Sequence, residues 1–123
     1  MASSGKRGLE RLLAACQYSV AGLRAAWHWE ESFRQELLLT LGLLPVALWL
    51  GEDPFQRAML IGVWLLVLIV ELLNSAVEAT VDRIGLEHDP VAGRAKDMAS
   101  AAVLFAILLA TLIWMAIIWQ RLD

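Results

Sequence analysis

The chain has 123 residues, 59% of them hydrophobic, a formal net charge of -3 and a mean hydropathy of +0.62. Apolar side chains in such quantity, gathered in long blocks, exceed what one soluble domain of this length can bury. The small charge is uninformative about nucleic acid and no Lys/Arg run interleaved with aromatics suggests a surface for it, while the single cysteine, Cys16, excludes an intrachain disulfide and a thiolate metal cluster.

Residues 1–7 are small and polar, and residues 1–11 lack the apolar stretch of a signal peptide. From Leu9 the apolar residues Leu12, Leu13, Cys16, Val20, Leu23 and Trp27 fall on one helical stripe, with Glu10, Arg11, Gln17 and Arg24 off it. The segment is too polar to span. It reads as an amphipathic helix over 8–28 lying on the membrane surface, with Trp27 and Trp29 at headgroup level.

The apolar block from Leu37 to Leu50 is shorter than the roughly 20 residues a crossing needs. A first spanning helix therefore covers 31–50, drawing Arg34 and Glu36 inside the boundary, with Pro45 mid-helix where a kink is expected. The second helix, 54–84, opens on Asp53-Pro54 as N-cap and first residue and stops at Gly85. At about 1.5 Å per residue it reaches about 46 Å, so one end must protrude from a hydrocarbon layer about 30 Å thick. The third helix repeats the opening with Asp89-Pro90 and runs over 90–119. These elements predict an all-α membrane protein, one domain over 1–123, with a surface helix and three transmembrane helices.

Lys6, Arg7, Arg11, Arg24, Arg34, Arg83, Arg94 and Lys96 flank one side of the spans, and only Arg57 and Arg121 the other. The positive-inside bias puts the N-terminus and the loop 83–97 in the cytoplasm, with Trp49 and Trp119 at the outer interface.

Reading each helix inward from its outer end places Glu30, Glu78, Lys96 and Asp97 at the cytoplasmic edge, and Glu36 and Glu71 one to two turns deeper. Glu71, Asn74, Ser75, Glu78 and Asp82 share one face of the second helix. A hydrogen-bond seam between helices would need only the Asn and Ser. An ionisable group at the depth of Glu71 costs about 3 kcal/mol on insertion scales and marks a pathway or a site. Asp82 divides evenly between a role and a solvated cytoplasmic position. Glu30 and Glu78, on different helices at one level, suit Mg²⁺, which takes one or two carboxylates plus phosphate oxygens. Lys96 at that level can meet phosphate charge, although spacing alone favours a solvated helix start for Lys96-Asp97. No GxxxxGK[ST] or soluble-kinase signature occurs. His28 and His88 lack a paired His or Cys at metal spacing and read as bystanders. The residues by themselves define a charged interfacial site, open to water on one side and lipid on the other, without naming a reaction.

Four stretches, ACQYSVAGLRAAW (15–27), EESFRQE (30–36), ELLNSAVEATVDR (71–83) and GRAKDMASAAV (93–103), closely resemble the bacterial integral-membrane diacylglycerol kinase family, over residues 8 to 120. The resemblance implies an ATP- and Mg²⁺-dependent kinase that converts diacylglycerol to phosphatidic acid. It implies residence in the bacterial inner membrane as a homotrimer, with active sites shared between subunits. By matched position it implies Glu71 as general base supported by Asn74, and Glu30 and Glu78 as metal ligands and ATP contacts. Arg11, Tyr18, Lys96 and Asp97 are the further ATP contacts, with Lys96 and Asp97 also catalytic. Ser19, Arg34, Gln35, Glu36, Glu71 and Ser100 are the expected lipid-binding residues. Glu31 and the loop 86–91 depart from the family pattern, so Glu87, His88 and Asp89 are not carried over as nucleotide contacts. The alternatives are a polyprenol kinase related in fold, a small proton-coupled transporter using Glu71, and a non-catalytic scaffold. The transporter is disfavoured because the outer half of the second helix is nearly uncharged.

Overall fold

The computed structural model describes residues 7–85 and 89–123. They form four α-helices: α1 (Leu9–Trp29), α2 (Glu31–Leu50), α3 (Pro54–Ile84) and α4 (Pro90–Leu122). Of these, α2, α3 and α4 are long and apolar enough to cross a membrane.

Helix starts follow local chemistry. Asp53 accepts a hydrogen bond from the Gln56 backbone N–H at 2.8 Å, and Asp89 accepts from those of Val91 and Ala92 at 3.0 and 3.3 Å. Both caps satisfy donors that the first turn leaves unpaired, and proline follows each where its missing N–H costs nothing. Gly85 ends α3 at φ 97°, a left-handed conformation that favours glycine. Helix α2 continues through Pro45 to Leu50.

One extended residue, Glu30 (φ -114°, ψ 105°), separates α1 from α2. Its N–H closes α1 on the Ala26 carbonyl at 2.9 Å, and its own carbonyl accepts from the Arg34 N–H at 3.2 Å. The Arg34 guanidinium donates to the carbonyls of Trp27 and His28 at 2.8 and 3.1 Å. A cation thus covers the negative end of α1 and fixes the bend.

The central helix is α3. Near one end, Ala47 and Leu50 of α2 meet Leu60 of α3 and Ile117 of α4. Midway, Val63 and Val67 pack on Ala106 and Ala110 of α4. Those alanines lie one turn apart and let the two backbones approach closely, which is how helices associate without a hydrophobic driving force between them. On another side of the middle of α3, Ala26 at the end of α1 and Phe33 at the start of α2 close on Leu68. Two indoles add directed bonds: Trp64 Nε1 donates to Thr40 Oγ1 at 2.7 Å, and Trp114 Nε1 to the Leu60 carbonyl at 3.1 Å.

Helix α4 runs past the expected stop at Trp119 to Leu122. Its last turn is held from outside: Gln120 accepts from Gln56 at 3.1 Å, and Arg121 donates to the carbonyls of Trp49 and Leu50, both at 3.1 Å, while lying over the Trp49 ring. Arg57 donates to the Leu48 carbonyl at 3.1 Å. The two arginines at this end therefore serve the orphan carbonyls of α2. Much large apolar surface stays exposed in the single chain, including Leu104, Phe105 and Leu112 of α4.

Candidate active site

Among the described residues, the buried polar side chains are Glu71, Asn74 and Ser75, all on α3. They fall at i, i+3 and i+4 and so share one face. That face lies near Glu36 of α2 and the bend at Glu30. Glu71 is 5% exposed, a depth at which a carboxylate requires partners.

Its charged neighbours are other carboxylates, which oppose its charge and do not satisfy it. Glu71 lies within electrostatic reach of Glu78 and Glu30, and Glu36 within reach of Glu71. Four acids from the α1–α2 bend, α2 and α3 thus converge at the end of the bundle where α1 lies. Asn74 sits among them. Its amide nitrogen donates to Glu78 Oε1 at 3.3 Å, and its side chain also lies against Glu71. The hydrogen bond to Glu78 was not legible in the sequence, which pairs Asn74 with Glu71 alone.

Two buried acceptors in this group, Glu36 Oε2 and Asn74 Oδ1, have no donor among the described residues. A buried oxygen left without a hydrogen bond is costly. Placed beside Glu71, the pair marks where an outside donor, a hydroxyl or a cation, would be received.

Lys96 of α4 reaches across to α3, where its Nζ meets Asp82 Oδ1 at 3.0 Å, and it also lies within reach of Glu78. Asp82, which the sequence leaves undecided, is thereby joined to the site. Beside the acids, a cleft of about 600 Å³ runs between α1 and α3, lined by Ser19 and Leu23, by Glu30, and by Leu72, Ser75 and Ala79. Its walls are apolar, with three polar groups spaced along it.

The remaining expected residues are placed less centrally. Ser19 donates to the Ala15 carbonyl at 2.9 Å, Gln35 to Glu31 at 3.4 Å, and Arg34 is occupied at the end of α1. Arg11, Tyr18, Asp97 and Ser100 are exposed. Glu87 and His88, and the N-terminal Lys6, lie outside the described residues. No role for Thr40 or Trp64 was legible in the sequence; their bond joins α2 to α3, with Trp64 about two turns from Glu71. Only the tryptophan, a polar tip inside an apolar run, hints at it.

These features define a class: a small three-span helical membrane protein carrying a carboxylate-lined site at one end of its bundle. A family model described as prokaryotic diacylglycerol kinase matches residues 17–118, and the chain belongs to that family. It is 51% identical over 114 residues to the diacylglycerol kinase of Escherichia coli (strain K12), covering 93% of each chain. The diacylglycerol kinase of Pseudomonas aeruginosa matches at the same identity and coverage. That of Haemophilus influenzae is 42% identical over 112 residues, 91% of this chain and 95% of the relative.

Proposed function

We infer that the chain transfers the γ-phosphoryl group of ATP to the hydroxyl of diacylglycerol, yielding phosphatidic acid and ADP, at the cytoplasmic face of a bacterial inner membrane. The observation that carries this reading is the buried Glu71 with the unpartnered Glu36 Oε2 and Asn74 Oδ1 beside it, in a chain half identical to named diacylglycerol kinases.

A lipid hydroxyl is the donor those acceptors lack. Glu36 orients it, and Glu71 takes its proton as the hydroxyl oxygen bonds to the γ-phosphorus and the bond from that phosphorus to the bridging oxygen breaks. ADP departs with the electron pair. Phosphoryl transfer asks the protein mainly for positioning and charge neutralisation, and a carboxylate held away from bulk water suits the proton transfer.

Glu30 and Glu78 are the residues that would hold Mg²⁺. Their donor set fits: two carboxylates near a third acid, with the neutral Asn74 amide bonded to Glu78. Mg²⁺ takes one or two carboxylates and completes its shell with water and phosphate oxygens. Bound there, Mg²⁺ neutralises charge on the transferring phosphates. Lys96 and Asp97, with Arg11 and Tyr18 from α1, contact the nucleotide. Ser19, Arg34, Gln35 and Ser100 flank the lipid, whose chains follow the apolar cleft between α1 and α3.

Helix α1 lies on the membrane surface, its exposed Leu9, Leu12, Leu13 and Trp29 in the headgroup region. The exposed apolar face of α4 and the outward Asp97 and Ser100 fit a homotrimer in which a neighbouring copy completes each site. The test is transfer of radiolabelled phosphate from ATP in mixed micelles, with diacylglycerol and undecaprenol assayed side by side. Labelled phosphatidic acid from the wild type and none from Glu71→Gln is expected. Preference for undecaprenol, or full activity in the variant, overturns the reading.

A further inference from the structure

Asp82 is outside the set of residues that the proposed reaction uses, yet it holds one of them. Lys96 Nζ lies 3.0 Å from Asp82 Oδ1, with the lysine side chain 32% and the aspartate 61% exposed. An ion pair this open to water adds little to folding stability. Its effect is on where the ammonium stands.

That position matters because of Glu78. Glu78 and Asp82 are one turn apart on the same face of α3, and Lys96 is within electrostatic reach of both. Glu78 is already bonded by Asn74 on Oε1. A lysine stem is long and flexible, and its ammonium is a point charge that goes to whichever acceptor is available. Glu78 is the other carboxylate that Lys96 feels, and without Asp82 it becomes the available acceptor. A lysine bound there would neutralise the acid that the cation needs and withdraw itself from the phosphates.

We propose that Asp82 is a positioning residue: it parks the Lys96 ammonium one helical turn from Glu78, keeping Glu78 free for the nucleotide-bound cation and Lys96 poised for the phosphates. The proposal rests on the reading of Lys96 and Glu78 as nucleotide and metal contacts, and its test separates the two.

The experiment measures equilibrium binding of MgATP and steady-state kinetics for the full chain in detergent micelles. Asp82→Asn is isosteric and keeps a hydrogen-bonding group without the charge. It is expected to weaken MgATP binding and raise the KM for MgATP by about tenfold, the loss of one charge-assisted bond, with kcat changed far less. Asp82→Glu, which restores the charge, should recover most of the affinity. Because Asp82 acts through Lys96, adding Asp82→Asn to Lys96→Met should weaken binding no further than Lys96→Met alone. Unchanged binding in Asp82→Asn, or an additive loss in the double variant, overturns the positioning role. Wild-type MgATP affinity in Lys96→Met overturns the nucleotide assignment of Lys96 itself, and the proposal with it.

Discussion

The Asn74 amide nitrogen donates to Glu78 Oε1 at 3.3 Å, one helical turn along a face that also carries the buried Glu71. A single neutral side chain therefore lies against both the deep and the shallow acid, and its own Oδ1 is buried without a donor among the described residues. Such an arrangement suits a residue that keeps two carboxylates in register.

Glu71→Gln keeps the shape of the buried side chain and removes its ability to accept a proton. Turnover is expected to fall by at least about 10²–10⁴-fold, while the protein still inserts into membranes and elutes from a sizing column like the wild type. Comparable turnover in the two proteins would remove Glu71 as the base.

Glu78→Gln retains a partner for Asn74 but loses the anionic charge. Mg²⁺-dependent nucleotide binding should weaken by about tenfold or more, and Glu30→Gln should behave alike. Titration of the wild type with a chelator should abolish the same binding, reversibly on Mg²⁺ addition. Nucleotide binding indifferent to the chelator would contradict the metal assignment.

Gly51 sits where the chain turns between α2 and α3, and a Cβ there would lie 2.5 Å from Arg57 Cγ and 2.9 Å from the Arg57 backbone nitrogen. The side chain can move, but the backbone nitrogen belongs to a helical turn. Gly51→Ala should destabilise the fold by about 1–3 kcal/mol, seen as a lower thermal midpoint in detergent with nucleotide affinity preserved in the folded fraction.

Trp64→Phe removes the indole N–H that Thr40 accepts at 2.7 Å. In an apolar bundle this bond is worth about 0.6–1.7 kcal/mol. Thr40→Val should cost at least as much, because it strands the indole donor. The double variant should cost less than the sum of the two. A strictly additive result in a denaturation series would show that the bond contributes nothing.

Much of this protein was written in its linear pattern. The three apolar helices, the Asp-Pro starts at 53–54 and 89–90, and the stop at Gly85 follow from hydropathy and from local capping chemistry, which act over four or five neighbouring residues. The common face of Glu71, Asn74, Ser75, Glu78 and Asp82 follows from the helical repeat alone. Helix periodicity also implied that acids from different helices share a depth.

What periodicity cannot give is azimuth, the direction each helix face points around the bundle. That is decided by packing: Val63 and Val67 against Ala106 and Ala110 turn α3 toward α4, and Phe33 against Leu68 turns the first span toward the acids. Only that tertiary arrangement gave Lys96 to Asp82, gave Asn74 to Glu78, and put Arg34 over the end of α1. Contacts between residues distant in sequence depend on how side-chain volumes interlock, and volume carries no periodic signal. The sequence by itself determined that ionisable groups interrupt long apolar helices, and it predicted their depth. The packing decided which of them meet.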